Sequence, residues 1–353
     1  MRRLFTVMVI ILALAVSGLP GAAVPQEQGS QTDTIRSDVN LISVYFTVRD
    51  GKKRLASELE QSQFHVFEDG REQPIKFFAH HSDVVLNVGM LLDTGTNMAW
   101  ILGQEADASS AFLKRVVRPT DLGFVVSYHA RVDTLQVPTA DTALLQKKVD
   151  DIRHYGSGIG TPNQASRLPL PLPGGGGPQP GPTGQPYNVR REAHLYDAVR
   201  VSTLRYLANE IGRKAVVIVA LSGDSKSEST LEDALEVLLQ NDVIAYVLQI
   251  FDRPHPVDRC DVVHTYERDS DGEYKLKKMA EATGGRMLEV HGIDKIESAL
   301  DEISEELHHQ YSLGYYPENT NWDGKFRKIQ IAAQEHGYKV FARKGYYAQS
   351  RAR

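Results

Sequence analysis

An acidic and hydroxyl-rich stretch, Asp93-Thr94-Gly95-Thr96-Asn97-Met98, is the part of this chain whose residue types could do chemistry. It follows the apolar run Val84–Leu92 and precedes a helix-like segment, Ala99–Val117. Open α/β sheets bind their ligands at the carboxyl ends of their strands. A buried strand that ends in carboxylate, amide and hydroxyl groups therefore predicts a ligand site at Asp93.

The elements that must position this loop alternate between strands and helices over residues 83–309. Such alternation predicts an α/β fold with a doubly wound, mostly parallel sheet covered on both faces. The charged run Glu267–Glu273 is interpreted as a solvated turn. The predicted strands are Val84–Leu92, Gly123–Tyr128, Val132–Val137, Ala215–Leu221, Val243–Leu248 and Arg286–Val290. The predicted helices that follow the first are Ala143–Ile152, Leu195–Asn209, Leu231–Gln240, Tyr274–Ala282 and Ile296–His308.

Two portions with strand patterns flank this α/β domain. Residues 38–82 contain alternating runs separated by Asp50-Gly51 and Asp69-Gly70, which are turn dipeptides. Residues 310–348 contain three further strand candidates. Neither portion has enough strands to bury a core alone, so we expect them to form one small antiparallel β domain into which the α/β domain is inserted. Two separate β appendages would give the same pattern.

The first 23 residues have the pattern of a secretory signal peptide. Arg2 and Arg3 precede the apolar run Leu4–Val16, and small residues follow up to Ala23. The alternative is an uncleaved anchor, although the run is short for a membrane span. We therefore expect cleavage, no stable membrane span afterwards, and a periplasmic or secreted protein.

Two other segments are predicted to lack packed structure. Residues 24–37 are polar and are interpreted as a disordered lead-in. The Pro- and Gly-rich residues 156–187 predict a flexible surface insertion, or else a polyproline segment that a partner binds. The chain has a single cysteine, Cys260, which excludes an internal disulfide. Its net charge of −5 gives no electrostatic reason to expect nucleic-acid binding.

Motifs in a fixed order resemble the von Willebrand factor A-related exported proteins of acidobacterial type. The set spans most of the chain after the signal peptide. Any one of these motifs is a weak indication of the family, but all of them in this order are specific for it. They are Phe64–Gly70 with Ile75-Lys76-Phe77-Phe78, the Asp93 loop, Leu195-Tyr196-Asp197-Ala198, Val217–Ser222, Tyr311–Pro317 and Lys344-Gly345-Tyr346-Tyr347.

This resemblance implies a metal-ion-dependent adhesion site in which three loops hold a divalent cation. The family's pattern has an Asp and two Ser in the first loop, a Thr in the second and an Asp in the third. Only Asp93 matches, because the other four positions carry Gly95, Asn97, Ala193 and Gly223.

The departures make the implied site degenerate. The remaining candidate ligands are Asp93, Asn97 and Asp224, with Thr94, Thr96 and Ser222 on a partner-binding rim. These few ligands predict either no cofactor or weakly bound Mg²⁺, an ion that readily keeps water molecules in its remaining coordination positions. Restoring Gly95→Ser, Asn97→Ser and Ala193→Thr is expected to strengthen Mg²⁺ binding, and Gly223→Asp is expected to strengthen it further. The alternative is that Asp93 caps the following helix.

Three hypotheses follow for function. The first is a non-enzymatic exported adhesion-type module that binds a protein partner, through an acidic group of that partner, at the degenerate site. The second is an enzyme of unknown reaction, for example a hydrolase, that uses carboxylates such as Asp93 and Asp224. The third is a structural or assembly module with a decayed site. The sequence contains no P-loop, nucleophile elbow or zinc-protease helix. Bonding of Asp93 and Asp224 to backbone amides would weaken the first two.

Overall fold

A computed structural model describes residues 41–81, 84–95, 101–154, 193–220, 223–251, 269–335 and 337–349. They belong to one compact unit, Asn40–Arg353. The predicted signal peptide, lead-in, Pro/Gly-rich insertion and Cys260 lie outside the described residues.

The strands are β1 Ile42–Arg49, β2 Phe64–Glu68, β3 Arg71–Gln73, β4 Ile75–His81, β5 Leu86–Asp93, β6 Leu122–Tyr128, β7 Val132–Thr139, β8 Arg213–Ala220, β9 Val243–Phe251, β10 Met287–His291, β11 Gln310–Tyr315, β12 Phe326–Ala333, β13 Lys339–Ala342 and β14 Gly345–Tyr347.

The helices are α1 Leu102–Val116, α2 Thr142–Asp150, α3 Leu195–Ser202, α4 Leu231–Gln240, α5 Ser270–Thr283 and α6 Ile296–His308. A 3-10 turn, Asp151–His154, extends α2, and a π-helical turn, Thr203–Leu207, extends α3. Within the described part of the chain, no helix is long and apolar enough to cross a membrane.

The central sheet has the strand order β10-β9-β8-β5-β6-β7. All neighbours pair in parallel except β7, which pairs antiparallel with β6 at one edge. Every residue of β5 is buried, as expected for a strand covered on both faces. One face packs on α1, α2 and α6, and the other packs on α3, α4 and α5. The predicted fold class is therefore confirmed.

Two helix boundaries differ from the sequence prediction. The segment Leu195–Asn209 was expected to be one α-helix, but α3 ends at Ser202 and continues as a π turn. The interpretation of Glu267–Glu273 as a solvated turn was wrong from Ser270 onwards, where α5 begins. Asp269 caps this helix by accepting a hydrogen bond from the N–H of Gly272, and an N-cap aspartate stabilises a helix start even in a charged sequence.

Strands from the two terminal portions pair with one another in two four-stranded sheets. The first has the order β13-β1-β11-β4 and the second β14-β12-β2-β3. An aromatic and aliphatic core lies between them, in which the rings of Phe46 and Phe64 are 5.1 Å apart. Buried Glu68 accepts hydrogen bonds from the hydroxyls of Tyr315 and Tyr346 at 2.8 and 3.0 Å. We call this unit the β sandwich.

Candidate functional site

The chain changes direction across the central sheet at β5. After β5 the chain passes through α1 to β6, the neighbour of β5 on one side in the strand order. The neighbour on the other side is β8, which the chain reaches through α3. The loops that leave β5 and β8 therefore diverge at the carboxyl ends of the strands, where open α/β sheets bind ligands. We call this place the switch point. Asp93 is the last residue of β5, so the predicted candidate lies there.

Asp93 is almost completely buried, with 5% of its surface exposed. Its Oδ1 accepts a hydrogen bond of 2.9 Å from the N–H of Gly95. Burial raises the pKa of Asp93 to about 6, although the bond from Gly95 opposes this shift. The alternative role as a helix cap was wrong, because Ile101 is the N-cap of α1 and Asp93 bonds within its own loop.

A second carboxylate, Glu105, lies in the first turn of α1 and is fully buried. Neither of its carboxylate oxygens has a hydrogen-bond partner among the described residues. Burial raises the pKa of Glu105 well above its ordinary value, and the charge of Asp93 raises it further. Burial and then the charges of Asp93, Glu105 and Asp224 raise the pKa of Tyr128, whose hydroxyl donates to the carbonyl of Val219 at 3.0 Å.

The imidazole of His129 fills the space in front of Gly95. A Cβ at position 95 would lie 2.7 Å from Nδ1 of His129, 3.0 Å from its Cε1 and 3.0 Å from Oδ1 of Asp93. All three distances are too short for a carbon side chain without movement of its neighbours. The family's first serine ligand therefore has no room here while His129 keeps its place.

The second loop is held by backbone contacts to the loop 223–230. Ala193 stands where the family has threonine and is buried. Its N–H donates to Oγ of Ser225 at 2.9 Å, and its carbonyl accepts from the N–H groups of Ser225 and Lys226 at 3.1 and 3.2 Å. Both polar backbone groups of Ala193 thus serve contacts between the two loops.

Asp224 faces the start of α3. Its Oδ1 accepts from the N–H of Tyr196 at 3.1 Å and from the hydroxyl of Ser227 at 2.5 Å, and its Oδ2 accepts from the N–H of Ser227 at 3.1 Å. An aspartate at a helix start is stabilised by the free N–H groups there. This carboxylate joins the loop 223–230 to α3.

Asp197 makes a similar connection one residue further along α3. Its two oxygens accept from the N–H of Glu228 at 3.0 Å and from the N–H and hydroxyl of Ser229 at 3.1 and 2.6 Å. Burial opposes its ionisation, but these hydrogen bonds hold the pKa of Asp197 below its ordinary value. The loop 223–230 is therefore attached to α3 by two ionisable side chains.

Gly223 stands where the family has its third-loop aspartate, and it packs against the first turn of α5. A Cβ there would overlap the Cα of Gly272 and would lie 3.2 and 3.3 Å from the carbonyl carbon and oxygen of the same residue. Asp269 joins the two glycines, because its carboxylate accepts from the N–H of Gly223 at 3.3 Å and of Gly272 at 2.9 Å.

Among the described residues, the donors at the switch point do not complete the octahedral site that Mg²⁺ requires. Asp93 remains, but position 95 faces an imidazole, Ala193 offers no side-chain oxygen, and position 223 has no room for a side chain. A side chain at position 95 would meet the imidazole of His129, and one at position 223 would meet the backbone of Gly272, so Gly95→Ser and Gly223→Asp require these neighbours to move. Among the residues that the structure describes, no three His, Cys, Asp or Glu side chains are grouped to hold a metal ion.

The remaining predicted site residues divide into two groups. Thr94 is half-buried, and its N–H donates to the carbonyl of Tyr128 at 3.1 Å. Asn97, Thr96 and Ser222 lie outside the described residues. Thr94 is thus the one member of the predicted rim whose position can be given.

Sequence reasoning missed three residues at the switch point: Glu105, His129 and Asp197. Glu105 lies four residues after buried Ile101 and seven before buried Phe112, so helical periodicity could have placed it on the inner face of α1. The contacts of His129 and Asp197 depend on which loops meet in space, and no local pattern signals them.

Comparisons with known proteins bear on the fold. No protein-family model matches the sequence, and no curated protein matches it. Solved structures similar to the chain include the proximal thread matrix protein 1 from the mussel byssus, with 10% identity, a TM-score of 0.43 and coverage of 65% of this chain. That match spans about half of the mussel protein, 49%.

Two bacterial structures are similar to about the same degree. A conserved hypothetical protein BatB from Bacteroides thetaiotaomicron has 15% identity and a TM-score of 0.43, over 63% of this chain and 97% of BatB. A von Willebrand factor type A structure from Catenulispora acidiphila has 10% identity and a TM-score of 0.44, over 87% of this chain and 75% of the other. With such low identities and TM-scores, the fold assignment rests on the strand order and connections described above.

Proposed function

We propose that this chain is an exported, von Willebrand factor A-related protein that acts as a non-enzymatic, adhesion-type module and binds a protein partner at the switch point. The observation that carries the proposal is that the loop 223–230 is held in a fixed position there. Asp197 and Asp224 attach the loop 223–230 to α3, and Asp269 attaches Gly223 to α5. A surface that is ordered before binding loses less conformational entropy when a partner docks.

The same contacts determine how a partner would be bound. Asp93 and Asp224 both accept hydrogen bonds from backbone N–H groups, which weakens mechanisms in which these two carboxylates hold a bridging cation or act on a substrate. The exposed side chains at this edge include Lys226, Glu228 and Ser225. We therefore propose that docking uses these polar side chains, and that it does not require a divalent cation.

A capture experiment tests this function. The purified chain is immobilised and exposed to envelope and secreted fractions of the source cells, with either MgCl₂ or EDTA. We expect one or a few proteins to be retained under both conditions. Lys226→Glu should abolish their retention, because Lys226 is exposed on the loop 223–230. The matched control is Thr120→Glu, which places a glutamate at an exposed position just before β6. This position lies at the amino ends of the parallel strands, opposite to the switch point.

The outcomes separate the hypotheses. Retention that survives Lys226→Glu as well as it survives Thr120→Glu would contradict docking at the switch point. Retention that requires MgCl₂ would contradict cation-independent binding and restore the metal-ion-dependent mechanism. Turnover of a captured protein or ester by the wild type, abolished in Asp93→Asn, would instead support the carboxylate-based hydrolase.

A further inference from the structure

A cavity of about 320 Å³ lies between the β sandwich and the α/β domain, beside the start of β10. Its walls come from both parts of the molecule. The β sandwich contributes Lys53, Lys339 and Phe341, and the α/β domain contributes Lys277, Arg286 and Glu302. We call it the junction cavity. Its volume is at the low end of the range typical of small-molecule sites, and such sites often lie where two domains meet.

One wall of the junction cavity is a compact cluster of paired charges. Arg49 and Arg286 both donate to Oε1 of Glu306, at 3.0 and 2.6 Å from their Nε atoms. Both also contact Oε1 of Glu302, at 2.7 and 2.6 Å. Glu306 is fully buried, and two guanidinium groups balance two carboxylates. This wall is therefore fixed in position and close to neutral.

The lysines of the cavity are in a different situation. Among the described residues, no ion pair joins Lys53, Lys277 or Lys339 to a carboxylate. Asp50, which also lines the cavity, is already paired with Arg54 at 2.7 Å. Among the described residues, the lining carboxylate Glu289 has one ion pair, with His291 at 3.6 Å, and the lining carboxylate Glu281 has none. Three unpaired lysines thus line the cavity together with these two carboxylates, an excess of one positive charge.

Two of the cationic side chains, and the turn that carries Lys53, are also held in place. Nζ of Lys339 lies 4.8 Å from the centre of the Phe341 ring, and the guanidinium of Arg286 lies 5.6 Å from the same ring. Contacts of this kind between a cation and an aromatic ring are attractive. The turn that carries Lys53 is fixed because the carbonyl of Lys53 accepts a hydrogen bond from Arg49. The side chain of Asp50 bonds two further N–H groups of that turn.

We propose that the junction cavity binds a small anion with two or more negative charges, either a phosphorylated or a polycarboxylate compound. The three lysines line one cavity, and an anion bound between positive charges lowers their mutual repulsion. The ligand would contact Lys53 and Lys339 on one side and Lys277 on the other. It therefore joins the β sandwich to α5, and binding stabilises the junction between the two parts.

The test uses the purified full chain with sodium pyrophosphate or sodium citrate as probes. Total ionic strength is held constant with NaCl, and metals are removed from protein and buffers beforehand with a chelating resin so that chelation of metals contributes nothing. Melting temperature and the heat of binding are measured against anion concentration. We expect a saturable increase in melting temperature with at least one probe. An increase with pyrophosphate alone indicates a phosphorylated ligand, and an increase with citrate alone indicates a polycarboxylate. An increase with both indicates that the site recognises charge.

Substitutions then locate the site. Lys277→Gln with Lys339→Gln should raise the Kd about tenfold, the effect expected from losing two exposed ionic contacts. The matched control is Lys147→Gln with Lys328→Gln, which removes the same charge from exposed positions on α2 and β12 and should leave the Kd unchanged. All four lysines are exposed, so the variants should fold, and far-UV circular dichroism verifies this. Absence of saturable binding for both probes, or equal weakening in the two double variants, overturns the proposal.

Discussion

Gly223→Asp restores the carboxylate that the family resemblance implies, yet we expect it to destabilise the protein. The new Cβ would overlap the Cα of Gly272, and forcing extra atoms into a packed contact typically costs about 1–3 kcal/mol. Moving α5 away would also weaken the hydrogen bond from Gly223 to Asp269, the N-cap of α5, which is worth about 1 kcal/mol. The sum is about 2–4 kcal/mol.

This loss of stability can be measured as a change in melting temperature. For a cooperative unit somewhat larger than 250 residues, 1 kcal/mol corresponds to about 2 °C, so a decrease of about 4–8 °C is expected. Urea unfolding gives the free energy directly. The control is Gly51→Ala, where the nearest atom to a new Cβ, the carbonyl oxygen of Gly337, is 3.8 Å away. That variant should differ from wild type by about 1 kcal/mol or less.

Magnesium chloride provides the second readout for Gly223→Asp. We expect neither protein to bind Mg²⁺, and a ligand stabilises only a state that binds it. The melting temperatures of wild type and variant should therefore rise no more in about 10 mM MgCl₂ than in NaCl of the same ionic strength. A variant as stable as wild type would show that α5 does not press on Gly223. A Mg²⁺-dependent increase in the variant would show that the loops converge on a cation after all, and the steric reasoning would then be wrong.

Three further predictions concern other charges and hydroxyls. Glu306→Gln should destabilise by about 1.5–3 kcal/mol in urea unfolding, because it leaves two largely buried guanidinium groups with Glu302 as their one remaining carboxylate; exposed Glu305→Gln is the control, and equal effects would contradict this. Asp93 has a folded pKa of about 6, above its unfolded value, so its ionisation removes stability as pH rises from about 4 to 6. Asp93→Asn, which keeps an acceptor for Gly95, should flatten stability over that window and add at most about 3 kcal/mol at pH 7; an unchanged slope refutes the assignment. Tyr346→Phe should cost about 1–3 kcal/mol, because it removes one of two hydroxyls from the buried carboxylate of Glu68; a loss below 0.5 kcal/mol would mean that Tyr315 suffices.

The central sheet was predictable because its strands are continuous apolar runs separated by amphipathic helices. The run Val84–Leu92 corresponds to β5, Leu86–Asp93, and the helices Leu231–Gln240 and Ile296–His308 have the predicted bounds. Burial on both sheet faces imposes this pattern on local sequence. The start of α5 was not predicted, because a charged first turn resembles a solvated loop unless the capping role of Asp269 is known.

The contacts of the switch point were less predictable than the fold. The sequence placed Asp93 at the end of a central strand, since this requires only a buried run followed by polar residues. It gave no indication that Gly223 meets Gly272, or that Asp224 turns toward α3, because both depend on contacts between loops far apart in sequence. The direction of a side chain in a loop follows such contacts and not residue type. A family pattern therefore predicts where a residue lies in the fold more reliably than what its side chain does.

Direct packing at the switch point has a consequence for how binding can be regulated. In a site that a cation assembles, affinity for a partner follows the free cation concentration, because the ion contributes to ordering the loops. Here Asp197, Asp224 and Asp269 already hold the loop 223–230 against α3 and α5. The ordering cost is then met during folding, and a partner encounters a preformed surface. We therefore expect chelators to leave affinity unchanged, whereas substitutions that release the loop, such as Asp197→Ala, should weaken binding even though Asp197 itself bonds to the loop and not to the partner.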